Sequence, residues 1–255
     1  MTIEIVTIPC RADNYAFLVH EGDTGATALI DAPEAAPIAK ALDARGWGLH
    51  QIFITHHHGD HIDGVADLRR RFGCAVYGGA ADARRLPPLD HTLADGETVD
   101  CAGHPMQVMD VSGHTVGHLA FHLPDAKAVF TADSLMALGC GRLFEGSADQ
   151  MWTSLSKLAA LPPDTLVCSG HEYTAANAAF ALTIEPDNPD LLARVEDIKE
   201  ARAAGQPTVP SLLSLELATN PFLRAGLPSV KSSLSLEGSS DAAAFGEIRK
   251  RKDNF

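Results

Sequence analysis

Seven consecutive residues, Thr55-His56-His57-His58-Gly59-Asp60-His61, constrain this chain more tightly than any other stretch. They follow Gln51-Ile-Phe-Ile-Thr55, an apolar β-rich run that reads as a buried strand, and precede Ile62–Phe72, which reads as a helix. The pattern H-x-H-x-D-H arises by chance in roughly 2 of 1,000 chains of this composition. Its place matters as much as its rarity. Open α/β sheets gather their reactive groups past the carboxyl ends of strands, so the run calls for a layered fold whose strand ends share a rim. His56 and His58, two apart in a loop, can chelate one cation. Asp60 and His61, adjacent at the helix start, point elsewhere and can hold a second. Imidazole and carboxylate without thiolate suit Zn²⁺, Fe or Mn²⁺. His57, between the chelating pair, reads as a residue that packs or hydrogen-bonds nearby.

The rest of the first half supplies such a fold. Strand-like runs occur at Glu4–Ile8, Tyr15–His20, Ala26–Ile30, Ala75–Tyr77, Met106–Val111, His118–Leu123, Ala128–Thr131 and Leu166–Ser169. Helices are predicted over Pro33–Ala44 and about Asp149–Leu161. Strands interspersed with helices argue for an α/β architecture with sheets inside and helices outside. After Tyr173 no strand pattern remains, and Thr174–Ile184, Pro189–Ala204 and Asp241–Lys252 read as helices. The expected organisation is therefore an α/β domain over residues 1–172 and a small helical domain over 173–255.

Composition narrows the class of function. With 45% hydrophobic and 21% charged residues in 255, the chain can bury roughly 70% of its unfolded surface without disulfides. Residues 1–172 hold 22 of the 33 acidic side chains but only 11 of the 20 basic ones, which speaks against a nucleic-acid surface. The five cysteines (Cys10, Cys74, Cys101, Cys140, Cys168) lie at least 27 positions apart, so no C-x-x-C pair exists and free thiols in a reducing compartment are expected. No membrane span or signal peptide is legible. A cytoplasmic, monomeric protein with no membrane or nucleic-acid partner is the expectation.

A metal site needs further ligands, and three later strand ends offer them. Ser112-Gly113-His114-Thr115-Val116-Gly117-His118, Thr131-Ala132-Asp133-Ser134 and Ser169-Gly170-His171-Glu172-Tyr173 each place a His or Asp just past a β run, in a small-residue turn. Together with Thr55–His61, these motifs resemble the metallo-β-lactamase superfamily, and within it the hydroxyacylglutathione hydrolase (glyoxalase II) family. Cys140–Gly146, Asn220-Pro221-Phe222 and the ending Arg249–Phe255 resemble that family too, so the similarity spans essentially the whole chain.

The resemblance implies an αββα sandwich followed by a helical glutathione-binding domain. It implies one metal on His56, His58, His114 and Asp133, and another on Asp60, His61, His171 and the same Asp133. Of these ligand types only a carboxylate has two oxygens with which to bridge. Two divalent ions, Zn²⁺ first and Fe or Mn as alternatives, would share a hydroxide as nucleophile, with Asp60 and Asp133 as the catalytic carboxylates. The implied reaction is hydrolysis of S-(2-hydroxyacyl)glutathione, such as S-lactoylglutathione, to glutathione and D-lactate, the second step of methylglyoxal detoxification. A thiol of pKa about 8.5 departs as thiolate, so thioester cleavage needs no dedicated general acid. No G-x-S-x-G elbow suggests a serine nucleophile instead.

The substrate contacts implied are Arg142, Tyr173, Arg249 and Lys252. Arg249 and Lys252 are three apart on a predicted helix and share a face. Without the resemblance, the run Arg249-Lys250-Arg251-Lys252 would read as a solvated end. His118 is expected to support the site rather than bind metal, and His20, His50, His91, His104 and His122 match nothing. Three positions depart from relatives: Ala132 stands where many have Gly, a mild packing change; Arg142 where some have Lys; and Phe144 where some have Tyr. The competing reading is a mononuclear-iron sulfur dioxygenase acting on glutathione persulfide. It requires only His56, His114 and Asp133, and leaves Asp60, His61 and His171 unexplained.

Overall fold

Strands that are dry on both faces explain the long apolar runs of the N-terminal half. The computed structural model describes residues 3–255. They divide into two compact units: the chain up to Asp110 with Val116–Ala132, and Val111–Thr115 with Asp133–Phe255.

In the first unit, β1 (Ile3–Cys10), β2 (Asn14–Glu21), β3 (Thr27–Ile30), β4 (Gln51–Phe53), β5 (Ala75–Gly79) and β6 (His91–Leu93) form one sheet in that order. β1 to β3 run antiparallel and β3 to β6 parallel. An antiparallel meander follows: β7 (Thr98–Cys101), β8 (His104–Asp110), β9 (Leu119–Leu123) and β10 (Ala128–Ala132). Side-chain alternation assigns the two faces of the first sheet. Leu18, Leu29, Ile52 and Val76 cluster with Ile38 and Leu42 of α1 (Ala35–Arg45). Phe17 and Phe53 turn the other way and meet Phe130 and Phe121 of the meander, with ring centroids 5.7 and 5.6 Å apart. Each such buried ring contributes about 1.5–3 kcal/mol.

The helix expected over Ile62–Phe72 is two helices, α2 (Gly59–Ile62) and α3 (Val65–Phe72). Gly64 explains the break. Its N–H donates to the Ala32 carbonyl at 2.8 Å, and a Cβ there would lie 2.8 Å from the Ala35 nitrogen. β6 and β7 were not expected from the sequence. Their side chains are mostly exposed, so neither shows an apolar stripe.

The second unit opens on a short hairpin, β11 (Leu135–Met136) and β12 (Gly139–Cys140), followed by α4 (Ala148–Ala159) and β13 (Leu166–Ser169). The helices α5 (Thr174–Ile184) and α6 (Pro189–Ala203) come next, then β14 (Ser211–Leu212), α7 (Leu213–Thr219), α8 (Pro228–Ser233) and α9 (Asp241–Asp253). The expected absence of strands after Tyr173 is corrected by β14, which pairs with β13 but is too short to carry a period. Helix starts follow the capping rules: Ser147 and Gln150 form a reciprocal box on α4, Asn188 precedes Pro189 on α6, and Ser240 caps α9. Phe180 stacks on Phe222, which meets Phe245 edge-on, with centroids 6.1 and 5.8 Å apart.

The hairpin is held from outside. Glu216, fully buried, accepts from the Leu138 N–H at 2.8 Å, from Ser211 and Asn220, and from Arg194. Asn220 donates to the Met136 and Gly139 carbonyls, and Asn177 to the Ala137 carbonyl.

Ala132, at the end of β10, has φ 42°. The sequence reading treats it as a packing change, but the strain lies in the backbone. A left-handed L-residue costs roughly 1–2 kcal/mol, and glycine avoids most of that. Ala132→Gly is therefore expected to raise Tm by about 2 °C, read by calorimetry. A lower Tm would show that burial of the methyl outweighs the strain.

Candidate metal centre

In the first unit the site begins where β4 ends. Register sets Phe53 beside Ile30, so Asp31 follows β3 level with the end of β4. Asp31 sits at φ 58°, a conformation that Asp tolerates better than most residues. Its carboxylate accepts from the Thr55 N–H at 2.8 Å, the Thr55 hydroxyl at 2.8 Å and His61 Nδ1 at 2.8 Å. The Thr55 hydroxyl, having spent its proton on Asp31, receives His56 Nδ1–H at 3.0 Å. Both His56 and His61 are fully buried, and both are fixed as the tautomer whose Nε2 carries a lone pair. That is the form a cation requires.

The neighbouring residues divide. His56 Nε2 and His58 Nδ1 lie 3.1 Å apart, so two imidazoles two residues apart address one point. Asp60 Oδ2 lies 3.8 Å from His61 Nε2 and accepts from the Asn14 amide. His57 turns to Asp82, 2.8 Å from its carboxylate. The His118 ring stacks on His56, with centroids 4.5 Å apart, and its Nδ1 meets the Leu119 carbonyl. Asp31, His56 and His61 themselves form a tight His/Asp group. Asp31 is nevertheless better placed as the support of that group, since both its oxygens already serve Thr55 and His61.

In the second unit the centre is Asp133. Its Oδ2 lies 3.4 Å from His114 Nε2 and its Oδ1 3.3 Å from His171 Nε2. One carboxylate thus faces two separate imidazoles. His114 Nδ1–H donates to the Arg142 carbonyl at 2.8 Å, which again leaves Nε2 as the lone-pair nitrogen. Gly141 makes that approach feasible: a Cβ there would sit 2.0 Å from the Asp133 carbonyl and 2.8 Å from His114 Nδ1. Tyr173 stacks flat on His171 at 4.7 Å, and Phe144 meets His114 edge-on at 5.2 Å. The donor set of both units is imidazole and carboxylate, with His56, His61 and His114 in metal-ready tautomers, which fits a borderline divalent cation.

The expected substrate residues behave unequally. The Arg142 side chain is 64% exposed, with Nε 3.8 Å from Asp253. Arg249 is buried, unlike a residue of a solvated basic end. It donates to the Cys140 carbonyl at 2.9 Å and to Asp253 Oδ1 at 2.8 Å, and lies 5.2 Å over the Phe222 ring. The physical reason is the α9 face that it shares with Phe245 and Ile248, which is the packed face of the helix. Lys252 donates to the Ala176 carbonyl at 3.1 Å with its ammonium over Phe180 and Phe255. Burial pushes the Lys252 ammonium below its ordinary pKa, and the charges of Arg249 and Arg142 push it further.

Cysteine chemistry is excluded by the same physics. None of the five thiols is in a disulfide and all are buried, and burial pushes Cys140 up to about 11 and Cys101 up to about 12. Sequence reasoning missed two polar residues that organise the site. Asp31 follows the run Ala28-Leu-Ile30 much as Asp133 follows Phe130-Thr-Ala132, so the signal was present; Asn14 had none beyond a turn.

Comparison with known proteins agrees with the geometry. Residues 12–171 match the family model of the metallo-beta-lactamase superfamily, and residues 172–255 match that of the hydroxyacylglutathione hydrolase C-terminus. Hydroxyacylglutathione hydrolase from Ruegeria pomeroyi is 64% identical over 255 residues, the whole of both chains. The enzyme of the same name from Jannaschia sp. is 66% identical, over 99% of this chain and 98% of that one. Among solved structures, ETHE1 from Myxococcus xanthus superposes with TM-score 0.69 at 24% identity, covering 98% of this chain and 90% of its own, a likeness of fold. TTHA1623, crystallised in a di-iron-bound form, gives TM-score 0.62 at 26% identity, over 86% of this chain and all of its own. The sheets with flanking helices are those of the metallo-β-lactamase fold, continued by a helical C-terminal region, and the chain belongs to the hydroxyacylglutathione hydrolase family.

Proposed function

We propose that this chain hydrolyses glutathione thioesters of 2-hydroxy acids, S-lactoylglutathione among them, with two divalent metal ions. The observation that carries the reading is Asp133, whose two oxygens face two different imidazoles as a bridging carboxylate must. The ligand sets are His56, His58, His114 and Asp133 for one ion, and Asp60, His61, His171 and Asp133 for the other, with Zn²⁺ as the first candidate and Fe or Mn compatible with the same donors. Such ions, when bound, polarise a carbonyl and lower the pKa of water to about 7. The protein's own part is orientation. Asp31 and the Arg142 carbonyl fix imidazole tautomers, and Tyr173 and Phe144 flank two ligand rings. The glutathione thiolate leaves unaided. Residues 1–172 act as the catalytic segment and 173–255 as the glutathione-binding segment of a cytoplasmic monomer. No described helix is long and apolar enough to cross a membrane.

The test is loss of the S-lactoylglutathione thioester band with the metal-loaded chain, alongside elemental analysis. Turnover with two ions per chain is expected. Oxygen uptake with glutathione persulfide and one iron per chain would replace this reading with the dioxygenase one.

The anionic carboxylates of glutathione need a positive patch on a chain of net charge −13. Arg142 and Lys252 supply its accessible cations, and Arg249 its buried anchor. Lys252→Met is expected to raise KM about tenfold, the lower end for a charged hydrogen bond at a partly exposed site, with kcat and metal content unchanged. The difference should shrink in high salt. Because folding depresses the pKa of Lys252, its ammonium is a cost to the folded chain at neutral pH, and the cost fades as pH rises through the lowered pKa toward 10.5. The same variant should therefore be at least as stable as the parent at pH 7. A stable variant with unchanged KM would remove Lys252 from the patch.

A further inference from the structure

Asp60 lies on α2, a single turn of four residues that cannot hold its own side chains rigidly. Its neighbour His61 is fixed by Asp31, but that bond does nothing for the Asp60 carboxylate. A different residue reaches it. Asn14, at the start of β2 and almost fully buried, directs its side-chain amide at Asp60 with both hydrogens. It donates to the Asp60 backbone carbonyl at 3.0 Å and to Asp60 Oδ2 at 3.1 Å. Both partners are pure acceptors, so the amide must present nitrogen rather than oxygen.

From this geometry we infer that Asn14 is the positioning residue of Asp60, fixing the carboxylate for the cation that it shares with His61. The inference rests on the two-metal reading above. A carboxylate oxygen has two lone-pair directions. One is taken by the Asn14 N–H, and the same Oδ2 lies 3.8 Å from His61 Nε2. A cation held here would draw on these two atoms, an imidazole nitrogen and a carboxylate oxygen. The β1–β2 turn steadies this loop a second time: Arg11 Nε donates to the Pro33 carbonyl at 3.0 Å, and its guanidinium pairs with Asp63, just past α2. Asn14 thus does for Asp60 what Asp31 does for His61, from a different strand.

The experiment titrates metal-free protein with Zn²⁺ against a chromophoric chelator, which resolves two binding steps in the parent. Asn14→Ala is expected to weaken one step by about 10–100-fold, as loss of a group that orients a ligand does, and to leave the other within about twofold. In an Asp60→Ala background, Asn14→Ala should change that step no further, because it acts through the carboxylate. Asn14→Asp, of the same shape but with a like charge facing Asp60, should lose at least as much. Calorimetry of the metal-free variants keeps folding separate from binding. Equal weakening of both steps, weakening of neither, or a further loss in the Asp60→Ala background would make Asn14 a general structural residue and overturn the inference. A single step in the parent would instead sink the two-metal reading, and with it the site to which Asn14 is assigned.

Discussion

Asp133→Ala is expected to lower kcat/KM for S-lactoylglutathione by more than about 10³-fold and to leave well under two ions per chain. Removing one electrostatic donor from a preorganised site typically costs about 10²–10³ in rate. Under the proposed two-ion assignment Asp133 would be worth more, since one of its oxygens faces His114 and the other His171. Its loss would then remove an anion from both ligand sets. Asp133→Asn is the finer probe, since it keeps the shape and surrenders one acceptor oxygen. Elemental analysis after gel filtration, run beside the thioester assay, reads both effects. Retention of two tightly held ions in the alanine variant would end the bridging assignment.

Gly141→Ala is expected to be nearly as damaging, though residue 141 binds nothing. The added methyl would meet the Asp133 carbonyl at 2.0 Å, and backbone cannot yield as a flexible side chain does. Overpacking of this kind costs about 1–3 kcal/mol, which for a chain of this size lowers Tm by about 3–10 °C. The functional loss should be larger than the stability loss. The same methyl would lie 2.8 Å from His114 Nδ1, the atom whose bond to the Arg142 carbonyl sets the imidazole. Misplacement of a ligand by about 1 Å can cost about 10² in rate. The variant should fold, melt early and turn over at least about 100-fold more slowly. Full activity would mean that the Asp133–Gly141 approach is looser than described.

What the sequence made legible follows from how each signal is written. Residues Thr55–His61 announce themselves because ligands and their loop are contiguous. The strands β2 and β4 are legible because burial on both faces gives continuous apolar runs, Tyr15–Val19 in one and Ile52-Phe53 in the other. β6 and β7 are not, because edge strands with exposed side chains spell out no period. Asp31 and Asn14 act through partners distant in the chain, Thr55 and His61 for one and Asp60 for the other, and only register brings them together. Arg249 shows the converse error. A run of four basic residues reads as solvent-facing, but one of them falls on the packed face of α9 and is anchored to a carbonyl 109 positions away. Helical phase decides which of four adjacent charges is buried, and composition is blind to phase.

The hairpin Leu135–Cys140 bears on how chains of this kind can be recombined. One foot carries Asp133 and the other leads into Gly141 and Arg142, yet its turn is held by Asn177, Glu216 and Asn220 from α5, α7 and the loop after it. The two family models meet at residues 171 and 172, which makes that junction an inviting place to cut or fuse. A chimera spliced there would inherit the metal-binding motifs intact and lose the grip on the loop between two of them. A foreign helical segment can be grafted successfully only if it brings a carboxylate and two amides to the same three places. The C-terminal helices therefore travel with Asp133 and its hairpin as one heritable piece, whatever else they bind.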